Sequence, residues 1–339
     1  MTKLATATAA PAAPAYAKMI AEMNAAGFSL RSTPLLDLRA YGNLPVPLPG
    51  GVAMPQTAPV EEKIIPTDAE NGTGTVTLTV LRPVGTENEI LPVAIYLHGG
   101  AWCVGSLMNT EKFVKDVVVK ANTVVIYVEY SLSPEVKFPV ALEEIYSSIL
   151  WVKENAASIN VDPSKISVFG DSAGGALTAS VAILLKQRGH SDVMKNQILI
   201  YPAVAHNHDQ YESVSLYGKG DYILSYDDMI YVSKLYHDSK YNKMNDDGGW
   251  CYGPENVLNA PLLARKDELE DLPRCLVVTA ECDVLRDESE HYARQLTAAG
   301  VDTCAVRFIG AVHGFITKTD LDTPQYRQGV QAIVDFLKE

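Results

Sequence analysis

The sequence predicts an α/β fold in which a mainly parallel central sheet is flanked by helices and overlain by a helical cap. Three observations carry this. Short apolar, β-branched runs such as "LPVAIYL" and "NTVVIYVEY" alternate with helical patterns of about ten residues or more, as βαβ units do. Those runs are apolar at consecutive positions, as strands covered on both faces should be. The alternation stops between about residues 205 and 263, in a polar stretch holding eight of the seventeen tyrosines, and then resumes. An insertion of that length after a strand is most simply a lid over a site at the strand's C-terminal end.

Taken in order, "MTKLATATAAPAAPAYAKMI" reads as a ragged tail leading into a helix over 15–26. It lacks the strongly apolar core of a signal peptide, and no run in the chain reaches the 18 or so apolar residues of a membrane span. Residues 27–60, with "NLPVPLPGGVAMPQTAPV", read as an extended proline-rich connector. From Val76, "VTLTVLRP" alternates strictly and predicts a half-buried strand. Strands follow at "LPVAIYL", "NTVVIYVEY", "KISVF", "QILIYP", "RCLVVTAE" and "CAVRFIG". Helices are expected at "NTEKFVKDVVVKA", "PVALEEIYSSILWVKENAASI", after Ser172, over 288–299 and over 325–338, with helical patches such as "SYDDMIYVSKLYHD" in the insertion. The expected organisation is an N-terminal cap segment and connector (1–60), a core (61–204 and 261–339) and a cap insertion (205–260).

Composition excludes several functions. A formal charge of −13 argues against nucleic acid or an anionic membrane as the main partner, since both need basic surface. Cys103, Cys251, Cys275, Cys282 and Cys304 form no CxxC pair and leave an odd thiol, so a reducing, cytoplasmic compartment is expected. Cys275 and Cys304 sit in apolar strand runs, where a thiol is usually buried.

The chemistry concentrates at "ISVFGDSAGGALTAS". Strand-like residues run into Gly170-Asp171-Ser172-Ala173-Gly174 and a helical pattern follows at once. A structural turn seldom needs glycines on both sides of a small nucleophile. G-x-S-x-G between strand and helix is the context of a nucleophile elbow, which lifts a serine Oγ clear of the sheet. The helix that follows brings its N–H groups and positive end to the same spot.

Upstream, a strand ends in His98-Gly99-Gly100-Ala101-Trp102, where glycine N–H groups can face an anion. The N–H of Ala173, just after the serine, is the elbow's own donor. A base must then lie past a late strand. Of the seven histidines, His98 belongs to the glycine motif, His291 to a helix, His190 to a turn and His237 to the lid. His206 and His208 form an H-x-H pair with no third metal ligand signalled, and read as solvated lid residues. His313, in "FIGAVHGF", follows a strand with glycines nearby. "CLVVTAECDVLRDE" puts Asp283 at the end of the preceding strand, and Asp287 where a helix should begin, as an N-cap or first-turn residue. Trp102 and the lid tyrosines Tyr211, Tyr217, Tyr222 and Tyr226 are candidates to line a substrate pocket, the alternative being a lid packed on itself.

With "HGGAW", "EYSLSPEVKFPVALEE", "GDSAGG", "APLLARKDELEDLPRCLVVTAECDVLRDE" and "VHGF" in this order, the chain resembles the hormone-sensitive-lipase-like family of α/β-hydrolase carboxylesterases over about residues 60–339. The resemblance implies the α/β-hydrolase fold, a cap made of the N-terminal helices and the 205–260 insertion, and a triad of Ser172, Asp283 and His313. It also implies an oxyanion hole of the Gly99, Gly100 and Ala173 N–H groups, with no metal or organic cofactor. Three positions depart from the family's pattern: Ala101 stands for the third glycine of HGGG, and Ser131 and Ser133 for the arginine and alanine of YRLAP.

The expected function is hydrolysis of short- to medium-chain carboxylic esters, with a small-molecule ester as partner and a homodimer as a possible assembly. An arylformamidase or amidase uses similar motifs, though "YSLSPEVKFPVALEE" favours the esterase. Plant gibberellin receptors resemble the same family but have lost the histidine, which this chain retains as His313.

Overall fold

The computed structural model describes residues 8–68, 70–241, 250 and 252–339. The N-terminal part holds α1 (Pro14–Ala25) and α2 (Leu35–Gly42). The core then runs β1 (Glu61–Pro66), β2 (Thr75–Leu81), β3 (Leu91–Leu97), α3 (Leu107–Ala121), β4 (Val124–Glu129), α4 (Val140–Glu154), β5 (Val161–Asp171), α5 (Ala173–Gln187) and β6 (Asn196–Ile200). The insertion contributes α6 (Glu212–Tyr217) and α7 (Tyr226–Tyr236). After it come α8 (Lys266–Leu269), β7 (Arg274–Cys282), α9 (Arg286–Ala298), β8 (Thr303–Val312) and α10 (Pro324–Lys338).

The strands form one sheet in the order β1-β2-β4-β3-β5-β6-β7-β8. The β1–β2 and β2–β4 pairs are antiparallel and the others parallel, so the parallel part is the part built from βαβ units. The continuous apolar runs are explained by two-sided burial. Val93, Ile95 and Leu97 of β3 point into a core shared with α4, α5 and α9, while Ala94 and Tyr96 point into one shared with α1, α3 and α10. β4 divides in the same way, with Val124, Ile126 and Val128 against Val125 and Tyr127. Each such Val or Ile contributes about 1.5–3 kcal/mol by leaving water.

Several expectations need correction. β2 is not half-buried: Thr79, Val80 and Leu81 are all covered, because both faces of the strand's end meet a core, Val80 on one side and Leu81 on the other; β1, whose pattern is weak in sequence, pairs along its edge. The 27–60 segment is not wholly extended. It contains α2, which buries Leu38 and is held by Arg39: Nε donates to the Cys103 carbonyl and a terminal nitrogen to that of Ser133, each at 2.8 Å. The same guanidinium takes both oxygens of Glu135 at 2.7 Å and holds that carboxyl down at about 2. Cys304 is exposed rather than buried, since β8 is an edge strand with one face open to water; Cys275, inside the sheet, is buried as expected. Cys251 and residues 242–249 of the insertion lie outside the described residues.

Candidate active site

The elbow is a strained turn made possible by glycine. Ser172 sits between β5 and α5 at φ 55°, ψ −117°, an unfavourable conformation for a residue with a side chain. Gly174 cannot be replaced without moving the backbone: a Cβ there would lie 1.9 Å from the Leu97 carbonyl oxygen. The first turn of α5 therefore sits against the end of β3, and the glycine loop after β3 lies beside Ser172.

The structure brings Ser172, His313 and Asp283 into one hydrogen-bonded chain. Ser172 Oγ lies 2.9 Å from His313 Nε2, and His313 Nδ1 lies 2.8 Å from Asp283 Oδ2. Asp283 is fully buried, and its other oxygen accepts the Leu285 N–H at 3.0 Å. With Nδ1–H donated to the carboxylate, Nε2 presents its lone pair to the serine hydroxyl. The three residues follow the C-terminal ends of β5, β7 and β8, where open α/β sheets place their sites.

The glycine loop differs from expectation. The Gly99 N–H is already used: it donates to Asp171 Oδ1 at 2.8 Å, and the Tyr96 hydroxyl donates to the same oxygen at 2.6 Å. Gly99 is thus an anchor rather than a free donor. The next two N–H groups, of Gly100 and Ala101, find no acceptor among the described residues, and neither does that of Ala173. All three residues line the cavity above Ser172. Gly100 has φ 106° and no room for a Cβ, which would meet the Val104 oxygen at 2.1 Å. Burial raises the Asp171 carboxyl above its usual range, opposed by its bonds to Tyr96 and Gly99. His98 stacks on Tyr130 at 4.2 Å and is held down at about 4 by burial, so it stays neutral.

The cavity has a volume of about 250 Å³. Its walls come from both the N-terminal segment (Phe28, Leu30, Leu38) and the insertion (Met229, Val232, Tyr252). Trp102 lines it and stacks on Tyr236 at 4.4 Å. The tyrosines proposed for it do not. Tyr211 lies at the surface against His291; Tyr217 is buried edge-on to Tyr222 at 5.0 Å; and the Tyr222 hydroxyl donates to the Ala10 carbonyl at 2.8 Å. Tyr226 is likewise outside the lining. Tyr217 and Tyr222 tie the insertion to Ala10 of the N-terminal segment, and the apolar cavity wall mixes aromatic residues (Phe28, Trp102, Tyr252) with aliphatic ones.

Of the two histidines expected to be solvated, one departs from that role. His208 is buried and hydrogen-bonded through Nδ1 to Glu288, a fully buried carboxylate that also accepts the Val204 N–H at 2.7 Å. Only His206 of that pair is partly open, with Nε2 3.3 Å from the Gly253 oxygen. His237 is buried in the cavity wall, 2.7 Å from Asn259 Oδ1, and burial holds it down at about 4. Asp287 lies in the first turn of α9, one of the two places expected for it, and is not the N-cap, which is Leu285. Its carboxylate accepts the Ser213 N–H at 2.8 Å and Arg286 Nε at 2.7 Å, and so ties the start of α6 to the core. Sequence reasoning missed Asp171, Leu38 and His237 as site residues; the "LLDLRAYG" run around Leu38 is the one local hint, and it is too short to show a helical period.

A family model described by the α/β-hydrolase fold matches residues 94–317. An arylesterase of Saccharolobus solfataricus is 33% identical over 239 residues, 70% of this chain and 72% of its own. The carboxylesterase NlhH of Mycobacterium tuberculosis is 32% identical over 69% of each chain. Among solved structures, a fungal esterase from Rhizomucor miehei is 44% identical, with a TM-score of 0.83 over 97% of both chains. A thermostable esterase from Pseudomonas putida is 27% identical, with a TM-score of 0.84 over 98% of both. The chain belongs to the α/β-hydrolase fold family, on its hormone-sensitive-lipase-like branch of carboxylic ester hydrolases.

Proposed function

We propose that the protein is a serine carboxylesterase that cleaves short- to medium-chain carboxylic esters through an acyl-enzyme on Ser172. The observation that carries this reading is the hydrogen-bonded chain from Ser172 through His313 to the buried Asp283, at the floor of a largely apolar cavity. In the first half-reaction His313 Nε2 takes the Ser172 proton as Oγ attacks the ester carbonyl. The tetrahedral oxyanion is held by the N–H groups of Gly100, Ala101 and Ala173. Asp283 fixes the tautomer and stabilises the imidazolium. His313 then returns the proton to the departing alcohol. Water repeats the cycle on the acyl-enzyme and releases the acid.

In this reading the segments 1–60 and 205–260 form the cap over a core of 61–204 and 261–339, and both contribute cavity wall. Four free thiols among the described residues support a reducing, cytoplasmic location. A homodimer is compatible with the two sheet edges, where Ile64 of β1 and Ile309 of β8 are exposed; sedimentation at several concentrations tests it. The central test is Ser172→Ala. It is expected to remove turnover of a para-nitrophenyl ester and labelling by a fluorophosphonate while leaving the melting temperature near wild type. Turnover within tenfold of wild type would sink the reading.

A further inference from the structure

One group lining the cavity has no part in the steps above. Lys318 follows His313 by five residues on the loop that leaves β8. Its N–H donates to the Gly314 carbonyl at 3.0 Å, closing one helical turn. Its Cε lies 4.0 Å from the point where a side chain on Gly314 would begin, so the lysine folds back beside the residue that follows His313. It is the one Lys or Arg among the described residues that line the cavity with Ser172 and His313.

The ammonium also has no partner. Among the described residues no acid reaches it to form an ion pair, and the charged group acting on it is Asp320, which is exposed. The carboxylates nearer the reaction centre are committed elsewhere: Asp171 to Tyr96 and Gly99, and Asp283 to His313 and Leu285. The histidines of the cavity offer it no negative charge. Burial pushes the Lys318 ammonium below the usual lysine value, with Asp320 opposing. Lys318 is half-buried, so its cation is partly desolvated, and with no counter-charge in the described protein it is free to meet an anion that enters the cavity. Nothing in the described protein supplies one.

We propose that Lys318 is a specificity residue that pairs with a negative group on the substrate, so that preferred esters carry a second, free carboxylate or a comparable anion. The inference rests on the esterase reading and adds a substrate class to it. The chemistry is the same whether the anion belongs to the acyl part, as in a monoester of a dicarboxylic acid, or to the alcohol part, as in an acylated hydroxy acid. A lysine, as a flexible point charge, suits either.

The test compares kcat/KM within two matched pairs at low ionic strength. One pair is para-nitrophenyl hydrogen glutarate against para-nitrophenyl pentanoate; the other is para-acetoxybenzoate against para-acetoxybenzamide. The quantity read is the charged-to-neutral ratio, which a merely structural loss leaves constant because both members fall together. Lys318→Met is expected to lower this ratio about tenfold in at least one pair, and Lys318→Arg to keep it within about threefold of wild type. A change in the glutarate pair puts the anion on the acyl side, and a change in the benzoate pair puts it on the alcohol side. Ratios unchanged within about twofold in both pairs for Lys318→Met, with neutral esters still turned over by wild type, overturn the role of Lys318 and leave the esterase reading standing. Wild type that turns over none of the four esters overturns both. Should Lys318→Met not fold, Lys318→Gln gives the same comparison.

Discussion

The N–H of Gly99 donates to Asp171 Oδ1 across 2.8 Å, although 72 positions of chain separate the two residues. The bond joins the loop after β3 to the elbow after β5, and the hydroxyl of Tyr96 closes the same junction from beneath. Asp171 thereby holds the residues on either side of the oxyanion position in fixed relation: Gly100 and Ala101 on one side, Ala173 on the other.

If Asp171 acts by positioning, its loss should be felt in kcat more than in binding. Asp171→Ala is expected to lower kcat about 10- to 100-fold, less than the full loss of an oxyanion donor, with KM within about threefold. Asp171→Asn, whose amide oxygen can still accept both bonds, should recover most of the rate. An Asn variant as damaged as the Ala variant would mean that the charge, not the anchoring, matters.

Asp283 and Asp287 stand four residues apart and should fail differently. Asp283→Asn removes the charge that stabilises the imidazolium and should cost about 10⁴ in kcat. Asp287→Ala releases Ser213 and Arg286, and should cost about 1–2 kcal/mol of stability with kcat changed far less. Urea melts and steady-state rates on both variants check this. A dead Asp287→Ala enzyme beside an active Asp283→Asn enzyme reverses the assignment.

The cavity bounds acyl length. Its volume of about 250 Å³ lies below the roughly 300–1,000 Å³ of sites for drug-sized ligands. The aromatic and aliphatic wall should admit a butanoyl chain and exclude long ones. Higher kcat/KM for a C12 than for a C4 ester, both monomeric, contradicts this.

Stability should depend on pH through the buried histidines. His98 and His237 are each held at about 4, against 6.5 when unfolded. Between those values the unfolded chain binds more protons, so stability is present above about pH 6.5 and falls as pH falls, by about 1.4 kcal/mol per unit for each residue. Glu129 acts in the opposite sense: burial and the nearby Glu62 raise it from 4.5 to about 7, so its contribution is lost as pH rises through that range. The three together leave a slope of about one histidine. From pH 6.5 to 5, wild type should therefore lose about 2 kcal/mol more than His237→Gln does. Equal losses in urea melts would show that His237 does not stay neutral in the fold.

Sequence alone determined what depends on neighbours along the chain. The unbroken apolar runs, alternating with helical patterns, specified the strands of the parallel sheet, and the glycines around Ser172 specified a turn that few other residues can make. Chain order after those strands singled out His313 and Asp283, since each need only follow the end of its own strand. What the tertiary structure decided depends on which groups meet across long separations. Whether a backbone N–H is free is settled by its partner, and Gly99 lost its donor to Asp171 from another strand. Whether a tyrosine faces a cavity is settled by what packs on it, and Tyr217 and Tyr222 were taken up by Ala10 and by each other. Whether a strand is an edge is settled by the order of the sheet, which left Cys304 in water. The short α2 carries too little periodicity to show itself in a proline-rich run, and its place over the cavity comes from Arg39 reaching backbone carbonyls of the core. Local pattern encodes each element's own form; burial and hydrogen-bond occupancy are properties of pairs, and pairs exist only once the chain has folded.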